Sequence, residues 1–99
     1  MGYSQKSADF LMASRMADAV QGDVDALVDL GIAFSAGAGG VAIDLVEAHK
    51  WFNLAAVAGS AHAQQCRAEI AGEMSQREIA EAQRQARSWL SQTGPRRAA

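Results

Sequence analysis

His62 and Cys66 stand four residues apart, a spacing that places both on one face of a helix and lets each ligate a metal ion. Zinc sites want about three or four ligands, and the other histidine, His49, falls on a different predicted helix. No metal site is therefore assigned. Cys66 reads as a small buried residue of a helical core, and His49 as a partly solvated residue at a helix edge. The run Gly37-Ala38-Gly39-Gly40 suggests a phosphate loop, but it lacks the Lys-Ser/Thr of a P-loop and the preceding strand of a dinucleotide fold. Serine-nucleophile patterns are absent and neither histidine has an acid–base partner, so no catalytic residue and no cofactor is assigned. A basic strip, Arg77, Arg84 and Arg87 with Arg96 and Arg97 beyond Pro95, has the charge to meet phosphate. Glu78 and Glu81 interrupt it and no aromatic is interleaved for base stacking, which makes nucleic-acid contact the second functional reading.

Whatever positions these residues is small and helical. Ninety-nine residues make one domain, and the apolar content leans on alanine, the strongest helix former. The single proline, Pro95, lies near the C-terminus, so the strongest helix breaker is absent from the rest. One cysteine excludes an internal disulfide framework. There is no charged segment leading into an apolar one at the N-terminus, and no stretch nears the length of a membrane span. The sequence thus reads as a soluble, cytoplasmic protein without a membrane role.

Net charge is −2, yet its distribution is uneven. Residues 1–49 hold Asp9, Asp18, Asp23, Asp25, Asp29, Asp44 and Glu47 against Lys6 and Arg15, whereas basic residues outnumber acidic ones over 50–99. Opposite-signed halves favour head-to-tail contact between copies or a partner with a matching dipole; ordinary solubility is the simpler account of them.

Start and stop signals mark five helices. The first runs from Ser4 or Ser7 to Gln21, with Phe10, Ala13, Met16, Ala17 and Val20 at helical spacing. Asp23 caps the second, which presents Ala26, Leu27, Leu30, Ile32 and Phe34 before Gly37. Asp44 caps the third, with Glu47 completing a capping-box-like pair, and Ser60 caps the fourth. Ser75 and Glu78 form a full capping box for the fifth, whose apolar stripe is Ile79, Ala82, Ala86, Trp89 and Leu90 and whose Glu81 can pair with Arg77 and Arg84. Residues 91–99 read as a frayed tail. No segment shows two-residue alternation, so no sheet is expected.

Part of the pattern repeats. Gly22-Asp-Val-Asp-Ala26 returns as Gly59-Ser-Ala-His-Ala63, and Ala48 finds its counterpart in Ala82. The first helix matches the end of the third, as though it were the second half of a repeat lacking its first helix. This organisation gives an N-terminal half repeat (1–21), a full repeat (22–59), a degenerate repeat or C-terminal cap (60–92) and a disordered basic tail (93–99). In stacked hairpins each helix meets both its mate and the next layer, so small residues fall where backbones approach. Gly31, Ala48, Ala55 and Ala56 serve close approach, and Trp51 fills the gap between layers.

The run Ala26, Leu30, Gly31, Phe34, Gly37, then Gly40, Val41, Asp44, Ala48, Trp51, Phe52, Ala55, Ala56 and Gly59 resembles the Sel-1-like repeat, a relative of the tetratricopeptide repeat. Phe34 stands where tyrosine is usual. The second copy has Arg67-Ala68 in place of Leu-Gly and no aromatic matching Trp51, as befits a terminal cap. The resemblance implies an all-α fold, an α/α right-handed superhelix of antiparallel hairpins with about five helices, whose first helices line a surface for protein–protein contact. It implies neither catalysis nor a cofactor.

By helical phase, the outward side of the second and fourth helices carries Asp25, Asp29, Ile32, His62, Gln65 and Glu69, the expected partner surface, with Ile32 as its apolar anchor. Helix one lacks a hairpin mate, so its Phe10-Leu11-Met12-Met16 surface is expected to seek cover in a homodimer. An adaptor or self-associating scaffold is the leading reading of function, the partner being another protein.

Overall fold

The computed structural model describes residues 5–93, which form five helices in chain order: α1 (Gln5–Val20), α2 (Val24–Ala36), α3 (Leu45–Val57), α4 (Ala61–Ala71) and α5 (Gln76–Thr93). The fold is all-α, with no strand among the described residues. The alternative helix start at Ser4 and residues 94–99, including Pro95, Arg96 and Arg97, lie outside the described segment. Residues 91–93, expected in a frayed tail, continue α5 instead. Nothing in Ser91, Gln92 or Thr93 stops a helix, and the Thr93 hydroxyl donates back to the Trp89 carbonyl at 2.9 Å.

Local chemistry fixes most helix starts. The carboxylates of Asp23 and Asp44 and the hydroxyl of Ser60 accept the backbone N–H three residues on, satisfying a donor that a helix's first turn leaves unpaired. At α5 the box is reciprocal: the Ser75 hydroxyl accepts from the Glu78 N–H at 3.1 Å, and the Glu78 carboxylate accepts from the Ser75 N–H at 2.8 Å. The pair at α3 is only half a box. The Asp44 N–H donates to the Phe34 carbonyl, so the loop is tied to the end of α2, and the Glu47 carboxylate turns to Trp51 and Lys50.

The core is organised around α3. Ala48, Trp51, Phe52, Leu54 and Ala55 are all buried, and together with buried His49 they spread over more than half of the helix circumference, as expected for a helix with neighbours on several sides. On one side lies α2, contributing Ala26, Leu27, Leu30, Gly31 and Ala33, with α1 behind it. On other sides lie α4, through Ala63, and α5, through Ala86 and Trp89. The Trp51 and Trp89 rings meet edge-on with centroids 4.8 Å apart.

Two packing details depart from expectation. The stripe of α1 that faces the core is Met12, Met16 and Ala19, while Phe10, Ala13, Ala17 and Val20 are exposed. Apolar residues surround α1, so periodicity alone permits either face. The second hairpin is splayed: α4 and α5 both lie against α3, and their backbones hardly approach each other. Only Ala63 of α4 is fully buried, which leaves that helix little apolar surface for a second partner.

Candidate functional site

On α2, Asp25, Asp29 and Ile32 are spaced by four and three residues and so share one stripe, directed away from Leu27 and Leu30 in the core. All three are exposed, Ile32 to 42%. On α4, His62, Gln65 and Glu69 share a second exposed stripe, opposed to buried Ala63. Both helices rest on α3, and their backbones hardly approach each other. The residues expected to form one partner surface therefore occupy two stripes. Of the two, only that on α2 combines an apolar side chain with carboxylates.

The His62–Cys66 pair does form, with Sγ and Nε2 3.6 Å apart. Partial burial, assisted by the Glu69 carboxylate, pushes the Cys66 thiol above its ordinary value. A nucleophilic or metal-binding cysteine needs the reverse, a thiolate stabilised near neutral pH. No group of three His, Cys, Asp or Glu that could hold a metal occurs among the described residues. Cys66 is half-buried and packs against the core cluster.

His49 is not a partly solvated edge residue: it is buried, 3% exposed, among the apolar residues of α3. Its Nδ1 has no hydrogen-bond partner. Desolvation, with the Arg67 guanidinium adding to it, holds the imidazole below its ordinary pKa. Arg67 in turn donates to the Asn53 side-chain carbonyl, linking α4 to α3 one turn beyond His49. The helix edge assigned from phase is closed by the packing of neighbouring helices on α3, which no local pattern announces.

Glu47 gathers two groups. It accepts the Trp51 indole N–H at 3.0 Å and pairs with Lys50 at 2.9 Å, and the Lys50 ammonium lies 4.5 Å from the centre of the Trp51 ring. This cluster satisfies the one polar atom of a fully buried tryptophan. Beside it, Lys50, Arg84, Gln85, Ser88, Trp89 and Gln92 line a polar recess. Its two cations are already engaged, Lys50 by Glu47 and Arg84 by Glu81.

The Arg84 fork on Glu81 spans 2.6 and 2.9 Å, and with the Gln85 amide it pulls the Glu81 carboxyl down to about 2. The expected second pair, Glu81 with Arg77, does not form. On α1, the four residues expected to seek cover divide. Phe10 and Leu11 are exposed to 72% and 49%, whereas Met12 and Met16 pack on the chain's own core. Sequence reasoning missed a cleft where α1, α3 and α5 come together, bordered by Leu54, Val57, Trp89 and Leu90. Its only signal in the sequence was the apolar end of the α5 stripe.

The arrangement defines a helical-repeat-like all-α fold with exposed stripes. No helix among the described residues is long and apolar enough to cross a membrane. No protein-family model, curated protein or solved structure matches the chain.

Proposed function

We propose that the chain is a small protein-interaction module of the Sel-1-like kind, an adaptor or scaffold acting in the cytoplasm and not an enzyme. The observation that carries this reading is the outer stripe of α2. Ile32 stands exposed beyond the Asp25 and Asp29 carboxylates, on a helix whose opposite side is locked into the core. An apolar anchor within a charged surround suits a partner that brings an apolar side chain flanked by lysine or arginine. The repeat-like spacing of Ala26, Leu30, Gly31, Trp51 and Ala55 supports the same reading, because every one of these residues is buried at a helix contact and none is left for chemistry.

Crosslinked capture of the tagged protein from its native cells, read by mass spectrometry, tests the proposal. A stoichiometric protein partner is expected with the wild type and is expected to disappear with the Asp29→Lys, Ile32→Glu double variant. Equal recovery from both would remove the α2 stripe as the binding face. The alternative, contact with nucleic acid, draws on exposed Arg77 and Arg87, neither of which is in an ion pair among the described residues. It requires retention on nucleic acid at low salt that falls steeply as salt is added.

A further inference from the structure

α4 is lightly held, and a buried histidine sits in the contact that holds it. The helix packs on α3 and hardly approaches any other, and Ala63 is its one fully buried residue. His49, 3% exposed, stands four residues before Asn53 on α3, so the two share a face. Arg67 of α4 donates to the Asn53 side-chain carbonyl, which sets its guanidinium over that face. No carboxylate pairs with Arg67 among the described residues. The α3–α4 contact thus holds a cation on a neutral partner and an imidazole whose Nδ1 has no hydrogen-bond partner.

The elements packed on α3 offer that ring no counter-charge. From α4 the facing group is Arg67, whose field opposes a second positive charge. His62 and Glu69 of the same helix stand exposed, and the Cys66 thiol stays neutral because its pKa is raised. α2 carries Asp25 and Asp29 on its outer stripe, turned away from the core. On α5 Glu81 is held by Arg84, while Arg77, Glu78 and Arg87 are exposed. On α3 itself Glu47 is engaged by Lys50 and the Trp51 indole. Among the described residues no carboxylate is set against His49. A proton there would create a buried charge and an unpaired N–H beside a guanidinium, which is costly on both counts.

We propose that His49 is an acid-operated latch: proton uptake at its ring releases α4 from α3 while the other helices stay packed. Once α4 has left, the ring is solvated and takes up its proton at the ordinary value of 6.5. In the closed form burial and Arg67 hold that value lower. The closed form therefore keeps its full advantage above 6.5. Below it the closed-to-open ratio falls, by at most about tenfold per pH unit for one proton, until the closed-form value is passed. Opening dissolves the stripe of His62, Gln65 and Glu69 and leaves the α2 stripe in place, so the latch and the partner contact stand or fall separately.

Residue-resolved amide hydrogen exchange of the full chain tests the proposal, each rate being corrected for the intrinsic pH dependence of exchange. The range from about pH 7 to about pH 5 lies above the ordinary titration of Asp and Glu, so the histidines dominate it. Protection of the α4 amides is expected to fall as the pH drops below 6.5, by up to about tenfold per unit, while that of the α2 and α3 amides holds. His49→Gln is expected to abolish the fall, and His62→Gln, at an exposed ring on α4, to leave it intact. The wild-type His49 ring, followed by NMR, gives a readout independent of any variant and is expected to titrate below 6.5. A ring that titrates at or above that value, α4 protection that does not change, or protection lost from all five helices together would overturn the proposal. So would a loss of α4 protection that persists in His49→Gln.

Discussion

Gly31 sets how near α2 and α3 can come. A Cβ built there would lie 2.5 Å from two carbons of the Phe52 ring, and that ring is itself buried in the core. Alanine in a helix interior is better than glycine by about 1 kcal/mol, but overpacking a dense core typically costs about 1–3 kcal/mol. The second effect wins, because the ring that must shift is enclosed in the core and is not the end of a flexible chain. Gly31→Ala should therefore destabilise the fold in chemical denaturation, and Phe52→Leu should relieve part of the added loss in the double variant. His49 makes a prediction of opposite kind, one visible only in its pH dependence. Burial and Arg67 hold its folded pKa below the unfolded value of 6.5. The neutral imidazole is favoured in the fold, so its contribution is complete above 6.5. Below that the unfolded chain takes up the extra proton, and stability falls with pH until the folded value is passed. The slope cannot exceed about 1.4 kcal/mol per pH unit for one proton. His49→Gln should flatten that part of the acid limb, measured as the difference between urea-unfolding curves for variant and wild type across the window.

At the scale of elements, the helix starts were the most legible feature because they depend on residues three apart. Asp23, Asp44, Ser60 and Ser75 all cap as read, and only Glu47 leaves its expected role, drawn away by the buried Trp51 indole. The box at α5 is exposed and reciprocal, so Ser75→Ala should lower stability by about 1 kcal/mol, read as a shift in the denaturation midpoint without a change in slope. What the helices bury was less legible. In α1 two different stripes have helical spacing, and only packing against α2 selects Met12, Met16 and Ala19. The closure around His49 depends on packing against α3, and the cleft joins ends of helices distant in the chain. The candidate partner residues were legible as exposed, since helical phase placed Asp25, Asp29 and Ile32 opposite the buried face. Their separation from His62, Gln65 and Glu69 was not, because it depends on how α2 and α4 are set around α3.

For the whole molecule, the central element is α3, and both exposed stripes and the cleft are arranged around it. Trp51 is nearly sealed at 1% exposure and stacks edge-on against Trp89. Removing it should cost about 3–5 kcal/mol, a large share of the few kcal/mol per domain that hold a fold of this size together. Trp51→Ala is therefore expected to lose cooperative thermal unfolding, whereas Ile32→Glu, on the surface, should leave the melting temperature nearly unchanged. That contrast separates the scaffold from what it presents. The most direct test of the central claim is quantitative crosslinked capture from native cells, comparing wild type with two folded variants. One carries Asp29→Lys and Ile32→Glu; the other carries Leu90→Glu. The account predicts that the partner protein is lost with the first and retained with the second. Retention with the first variant, or recovery of no protein other than the chain itself from the wild type, would contradict it.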